Sequence, residues 1–133
     1  MSYSLYLQRF EHGQSATMDA KAFWALVTPW VVANDPEHGF AQLRMEDGGE
    51  ADVYVSGSEA KLTGIGFTHF ATGAFLNLVA QLAWSLGAVV ILQEGIALLS
   101  TPEEQAHLPE QLQHLGRIVT LTGTAIQATI DCA

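Results

Sequence analysis

The chain has 133 residues, with 5 Lys and Arg against 14 Asp and Glu and a formal net charge of −9. Nucleic acids and anionic membranes both draw basic surfaces, so this balance speaks against either as a partner. The 49% hydrophobic content is that of a globular chain, and the length fits a single domain, residues 1–133, that buries about two-thirds of its unfolded surface without staples.

Residues Tyr3 to Phe10 alternate loosely and are rich in Tyr, Leu and Phe, which predicts a first strand. Arg9 lies among them and no apolar run follows, so this start does not read as a signal peptide. Asp19 is placed to cap a helix through Lys21–Val27, with Phe23, Leu26 and Val27 on its inward face. Pro29 lacks the N–H that a helix ladder needs and should end or kink it. Asn34–Gly39 reads as a loop turning on Pro36 and Gly39.

Phe40–Val55 carries the clearest local signal, a hairpin. Asp47, Gly48 and Gly49 tolerate positive φ. A loop of these residues sets Glu46 against Glu50, Arg44 against Asp52 and Gln42 against Tyr54. Met45, Leu43 and Ala41 then meet Ala51, Val53 and Val55 on the other face. One register thus predicts a polar face with an Arg44–Asp52 pair and a wholly apolar inner face. The polar turn Ser56–Lys61 leads into a third antiparallel strand, Leu62–Phe67.

Thr72 is placed to cap a long central helix, Phe75–Leu86, whose apolar residues nearly encircle it. Only Asn77, Gln81 and Ser85 form a stripe without large apolar side chains, and Gly87 supplies the stop. The uncharged stretch Ala71–Gln93 has the length of a membrane span. Its polar interruptions, and the lack of flanking Lys or Arg, instead predict a buried helix followed by a buried strand, Ala88–Leu92. Glu94-Gly95 turns into a partner strand, Ile96–Leu99. Thr101-Pro102-Glu103-Glu104 opens a short helix with a cap, a proline and acids at its positive end, and Pro109 breaks it. Arg117–Leu121 reads as a strand, and Thr124–Ile130 as a terminal helix or a final strand, with helix the preferred reading. The sum is an α+β fold: a mostly antiparallel sheet of about six or seven strands, packed on one face with one long apolar helix and two or three shorter ones.

No diagnostic catalytic or metal-binding motif is present. The histidines, His12, His38, His69, His107 and His114, form no H-x-x-x-H or H-E-x-x-H, and Cys132 alone cannot build a cysteine-based zinc site. Asp35, Glu37 and His38 sit in an ordinary turn, and Glu46–Asp52 lacks the spacing of an EF-hand loop. No metal or cofactor is expected. Cys132, beside the chain end, is a poor nucleophile, and a lone cysteine fits a reducing cytoplasm.

Architecture and chemistry meet in residues 63–73. Gly64, Gly66 and Gly73 would let a ligand approach the backbone, and Thr68, His69 and Thr72 offer hydrogen-bonding groups. The first turn of the central helix carries no acid to compensate its positive end. Together these make a candidate anion or carbonyl site with His69 as donor or general base. The competing reading makes the glycines bulge positions and His69 a hydrogen-bonded structural residue beside Phe67 and Phe70. Glu94 reads as an exposed turn residue rather than a buried acid. Trp24 and Trp84 lie on helices and are expected in the core. Trp30, where a helix ends, is a candidate contact residue beside an interaction face of Arg44, Glu46, Glu50, Asp52 and Tyr54. The Asn77–Gln81–Ser85 stripe leaves room for a second subunit and a homodimer.

Two functional classes follow. One is a non-enzymatic acidic binding protein whose hairpin face engages a protein partner, a basic one by charge complementarity. In size, charge and α+β class the chain resembles small acidic bacterial immunity proteins, which neutralise a toxin by covering its basic active site. The other is a small-molecule binder or cofactor-independent enzyme of cyclase or isomerase type, with a pocket near His69 and the helix N-terminus. The first predicts a buried, satisfied His69 under an exposed hairpin face. The second predicts a concave apolar pocket beside His69.

Overall fold

The computed structural model describes residues 3–132. In chain order, β1 (Leu5–Glu11) folds back on β2 (Gln14–Ala16), and β3 (Met18–Asp19) leads into α1 (Ala20–Val27). β4 (Val31–Asp35), β5 (Phe40–Arg44), β6 (Glu50–Gly57) and β7 (Lys61–Thr68) form an antiparallel meander. Then come α2 (Ala74–Leu86), β8 (Val89–Leu92), β9 (Ala97–Leu99), α3 (Pro102–His107), β10 (Gly116–Ile118) and α4 (Gly123–Cys132). All ten strands belong to one sheet of order β10-β9-β8-β1-β7-β6-β5-β4, with β2 beside β1 and β3 beside β7. Among the described residues only β9 and β10 pair in parallel.

The α+β class, the mostly antiparallel sheet and the long apolar helix are as the sequence predicts. The strand count is higher. β2 and β3 are too short to leave a periodic signal, and β4 is exposed from Val32 to Asp35. β4 exists because it pairs with β5 at the sheet edge, and its last two residues, Asn34 and Asp35, fall in the segment the turn residues marked as loop.

Inward residues of the central strands, among them Leu5, Leu7, Leu43, Val53, Ile65, Phe67 and Val90, close on Phe23 of α1, Phe75, Val79 and Leu82 of α2, and Ile126 of α4. The helices do not all share this face. Val89, Ala97 and Leu99 point the other way, where Leu108, after α3, closes over them with Phe10, Ile91 and Leu112 packed alongside. The reason lies in the strands: β8 and β9 read VVIL and ALL, apolar on both faces, so both faces need cover. Over β7, β6 and β5 the outer residues alternate with the core, and among the described residues α3 and Leu108 reach only the Phe10 end of β1. The long uncharged stretch divides at Gly87, which takes a left-handed φ of 64° between α2 and β8. No helix among the described residues is long and apolar enough to cross a membrane.

The β5–β6 hairpin keeps the predicted faces but not the predicted pairs. Arg44 stands opposite Glu50, Gln42 opposite Asp52 and Phe40 opposite Tyr54. The register has slid by two residues because the loop closes between Met45 and Gly49, whose backbone bond spans 2.7 Å. A slide of two preserves each side chain's face, since the strand period is two. Trp84 is the other correction, 68% exposed rather than core. It lies seven residues beyond Asn77, on the same helical face as the polar stripe, so its position on α2 already points outward.

Candidate functional site

The uncovered sheet face is built from strand alternation. Ile91, Tyr6, Gly66, Tyr54 and Phe40 stand side by side in one row across β8, β1, β7, β6 and β5. Tyr6 and Tyr54 are 45% and 48% exposed, high values for large aromatic side chains. Phe40 backs Tyr54, with ring centroids 5.1 Å apart. Gly66, between the tyrosines, offers only backbone. In the neighbouring row Ser56 pairs with Gly64, and the Gln8 carbonyl oxygen hangs over Gly64. The result is a trough of about 370 Å³ floored by Gly64 and Gly66 and flanked by Tyr6, Gln8, Tyr54 and Ser56. Its lining contains no charged side chain.

One row further along, the face turns polar. The Asp52 carboxylate accepts from Gln42 Nε2 at 3.2 Å and meets His69 Nδ1 at 3.0 Å, with the Thr68 hydroxyl 3.3 Å from the same nitrogen. His69 takes a left-handed φ of 50°, where the chain leaves the sheet for α2. Its side chain is 64% exposed and that of Asp52 18%. A carboxylate on Nδ1 leaves Nε2 as the free nitrogen, the orientation a general base needs. The trough does not include His69. His69 is therefore neither buried, as the binding-protein reading expected, nor beside the pocket, as the ligand reading expected. The left-handed residue swings its side chain out at the sheet's end, away from the Gly64–Gly66 floor.

At the N-terminus of α2, where the sequence suggested an anion site, a carboxylate of the protein itself is bound. Asp47, from the β5–β6 loop, accepts from the Ala74 N–H at 3.0 Å and from the Gly49 N–H at 2.9 Å. The bond from Ala74 first, then that from Gly49, holds the Asp47 carboxyl below the usual carboxylate range. The positive end of α2 is thus met by the protein's own anion, brought from far along the chain. Thr72 does not cap the helix; the cap position is Gly73, at φ 93°, and a Cβ there would press to 2.8 Å from an Asp47 carboxylate oxygen. Thr72 and Gly73 instead border a second hollow of about 540 Å³ between α2 and α4, beside Asn77 and Gln127.

The candidate residues are therefore split. Gly64 and Gly66 floor the trough, Thr68 and His69 edge the polar row, and Thr72 and Gly73 lie with the helices. Arg44, Glu46, Glu50 and Tyr54 are exposed, and Asp52 is half-buried under its partners. Arg44, the one basic residue of β5 and β6, is paired with Glu50 at 3.1 Å. Trp30 is half-buried and packed against the core, away from the hairpin face. Glu94 is an exposed turn residue that accepts the Tyr3 hydroxyl. Burial first, and then that carboxylate, raise the Tyr3 phenol above its ordinary range. Among the described residues no three His, Cys, Asp or Glu side chains cluster as metal ligands; Asp35 and His38 form only a pair, at 2.8 Å.

Tyr6, Gln8 and Ser56 belong to the trough and escaped the sequence reading. Their signal is alternation: Tyr6-x-Gln8 and Tyr54-x-Ser56 flank Gly64-x-Gly66, but only the strand order β1-β7-β6 sets them side by side. Compared with family models, curated proteins and solved structures, the chain matches none of them.

Proposed function

We propose that this is a binding protein whose working surface is the open sheet face of β1, β7, β6 and β5, and that its partner is a basic protein. The observation that carries this reading is the row Tyr6–Gly66–Tyr54–Phe40, in which Tyr6 and Tyr54 stand exposed on strands whose other side packs into the core. Aromatic residues standing in solvent beside a polar rim are the usual composition of a docking surface. Glu46, Glu50 and Asp52 lie along the same hairpin, and its one cation, Arg44, is spent on Glu50. Complementary charge steers encounter and selects partners, so a face on a −9 chain favours a basic one. The test is reconstitution with a partner captured from source cells and then purified. Hydrogen exchange should slow at the β1–β7–β6–β5 amides and side-chain labels of the open face, and affinity should fall with salt and with Glu50→Lys. A specific partner that is acidic, or one protecting only α2 and α4, would overturn the reading.

A second copy of the chain is the partner we propose for the α2 face. Trp84 stands exposed among Asn77, Gln81 and Ser85, on a helix with no charged residue. An acidic chain repels its own copies least through an uncharged face. Sedimentation should find dimers that Trp84→Glu dissociates; a wild-type chain that stays monomeric at every concentration removes this proposal.

A further inference from the structure

We infer that the Gly64–Gly66 trough seats a guanidinium, the side chain of an arginine on the partner; this rests on the open-face reading above. Two features need explaining together. β7 places glycine at both outward positions in mid-sheet, where a side chain would ordinarily pack. Neither glycine has the positive φ that would require it. A Cβ on Gly66 would meet the Tyr6 ring at 3.4 Å, and one on Gly64 would meet Gln8 Oε1 at 3.4 Å. Alanine therefore fits at both sites in van der Waals contact, so sterics do not demand glycine; what glycine does is let the Tyr6 ring and the Gln8 side chain lie low over the floor and keep the trough between them and Tyr54 open.

The space left has a definite chemistry. Tyr6 and Tyr54 both pair with Gly66, so they stand on strands about 9–10 Å apart. A groove one strand wide suits a flat group lying against an aromatic ring and excludes a helix, whose diameter is at least about 10 Å. The polar side chains offered, Gln8 and Ser56, can both accept. Gln8 Nε2 is turned to the Arg9 carbonyl at 3.4 Å, which leaves Oε1 over the floor, and Ser56 adds a hydroxyl. The Gly64 and Gly66 amides lie within β7, whose ladders run to β1 and β6, so the floor is no anion cradle. Acceptors and aromatic faces without a cation, on a −9 protein, select a cation. Guanidinium suits them better than ammonium, because it is planar, weakly hydrated and stacks on aromatic rings while its edge donates.

The probe is the peptide acetyl-Gly-Arg-Gly-amide, titrated into the full chain by NMR, with citrulline and lysine versions as controls. Binding should move the Gly64 and Gly66 amide signals and the Tyr6 and Tyr54 ring signals. Replacing arginine by citrulline keeps shape and removes charge, and should weaken binding roughly three- to tenfold. Gly66→Ala should fold with unchanged thermal stability or better and lose the shifts; Tyr54→Leu, which keeps bulk without the π face, should also lose them. Equal binding of the citrulline peptide, shifts mapping elsewhere, or full binding by Gly66→Ala would each overturn the inference. A purified basic partner that still docks on this face of Gly66→Ala and Tyr54→Leu with undiminished affinity rejects the slot alone. A partner that docks elsewhere rejects the face reading, whatever the peptide does.

Discussion

Two faces of one strand meet opposite fates. On β7, Ile65 and Phe67 point inward and are fully packed, while Gly64 and Gly66 point outward over a trough. The inward pair lies under α2, with Phe75 set edge-on to Phe67 at 5.3 Å. The outward pair contributes no side chain at all, and glycine in a strand interior costs about 0.5–1 kcal/mol relative to alanine. Folding explains the first pair and not the second. The difference teaches that stability is concentrated on one side of this sheet, and that the other side is free to serve recognition.

The largest effect should come from breaking the inner side. Phe67→Ala empties a fully buried position and is expected to cost about 3–5 kcal/mol, the lost transfer term plus the cavity left behind. Urea unfolding measures it, with the slope held constant. A cost near that of an exposed substitution would dissolve the contrast between the faces, because Phe67 would then not be core.

Next comes the tie between the hairpin and α2. The Asp47 carboxyl lies lower in the folded protein than in the unfolded chain, held by the Ala74 and Gly49 amides. Its contribution is therefore fully present above the unfolded carboxylate range and is lost as pH falls through the folded value. Asp47→Ala should lower the melting temperature by a few degrees at neutral pH, and the gap to wild type should close as the solution is acidified. A gap that is constant with pH would mean that the loop packing, not the carboxylate, holds the helix end.

That same contact marks where the sequence stops being legible. α3 could be read whole, because Thr101, Pro102, Glu103 and Glu104 cap and charge it from within its own first turn. α2 could be placed from its apolar run and its terminal Gly87, yet its N-terminus looked bare, since its anion arrives from Asp47 across the fold. Hairpin faces were legible from the period of two, but their register depended on whether the loop closed at Met45–Gly49. The glycines of β7 were visible as a place of close approach. That Tyr6 and Tyr54 flank them was not, because it requires β1 to insert between β7 and β8. Local chemistry reads directly from sequence; pairings across the fold do not.

The smallest effect on stability, and the finest test of the two faces, is at Arg44. Its bond to Glu50 is exposed on both sides, and such pairs contribute at most about 1 kcal/mol. Arg44→Gln should thus leave urea unfolding nearly unchanged, well below the loss at Phe67. Binding should move in the opposite sense. The substitution removes the one cation of the β5–β6 hairpin and frees Glu50 to face the partner. Association with a basic partner should become faster at low salt, and the gain should shrink as salt is added. A slower association would mean that Arg44 itself contacts the partner, and that the docking surface carries a positive element within its acidic rim.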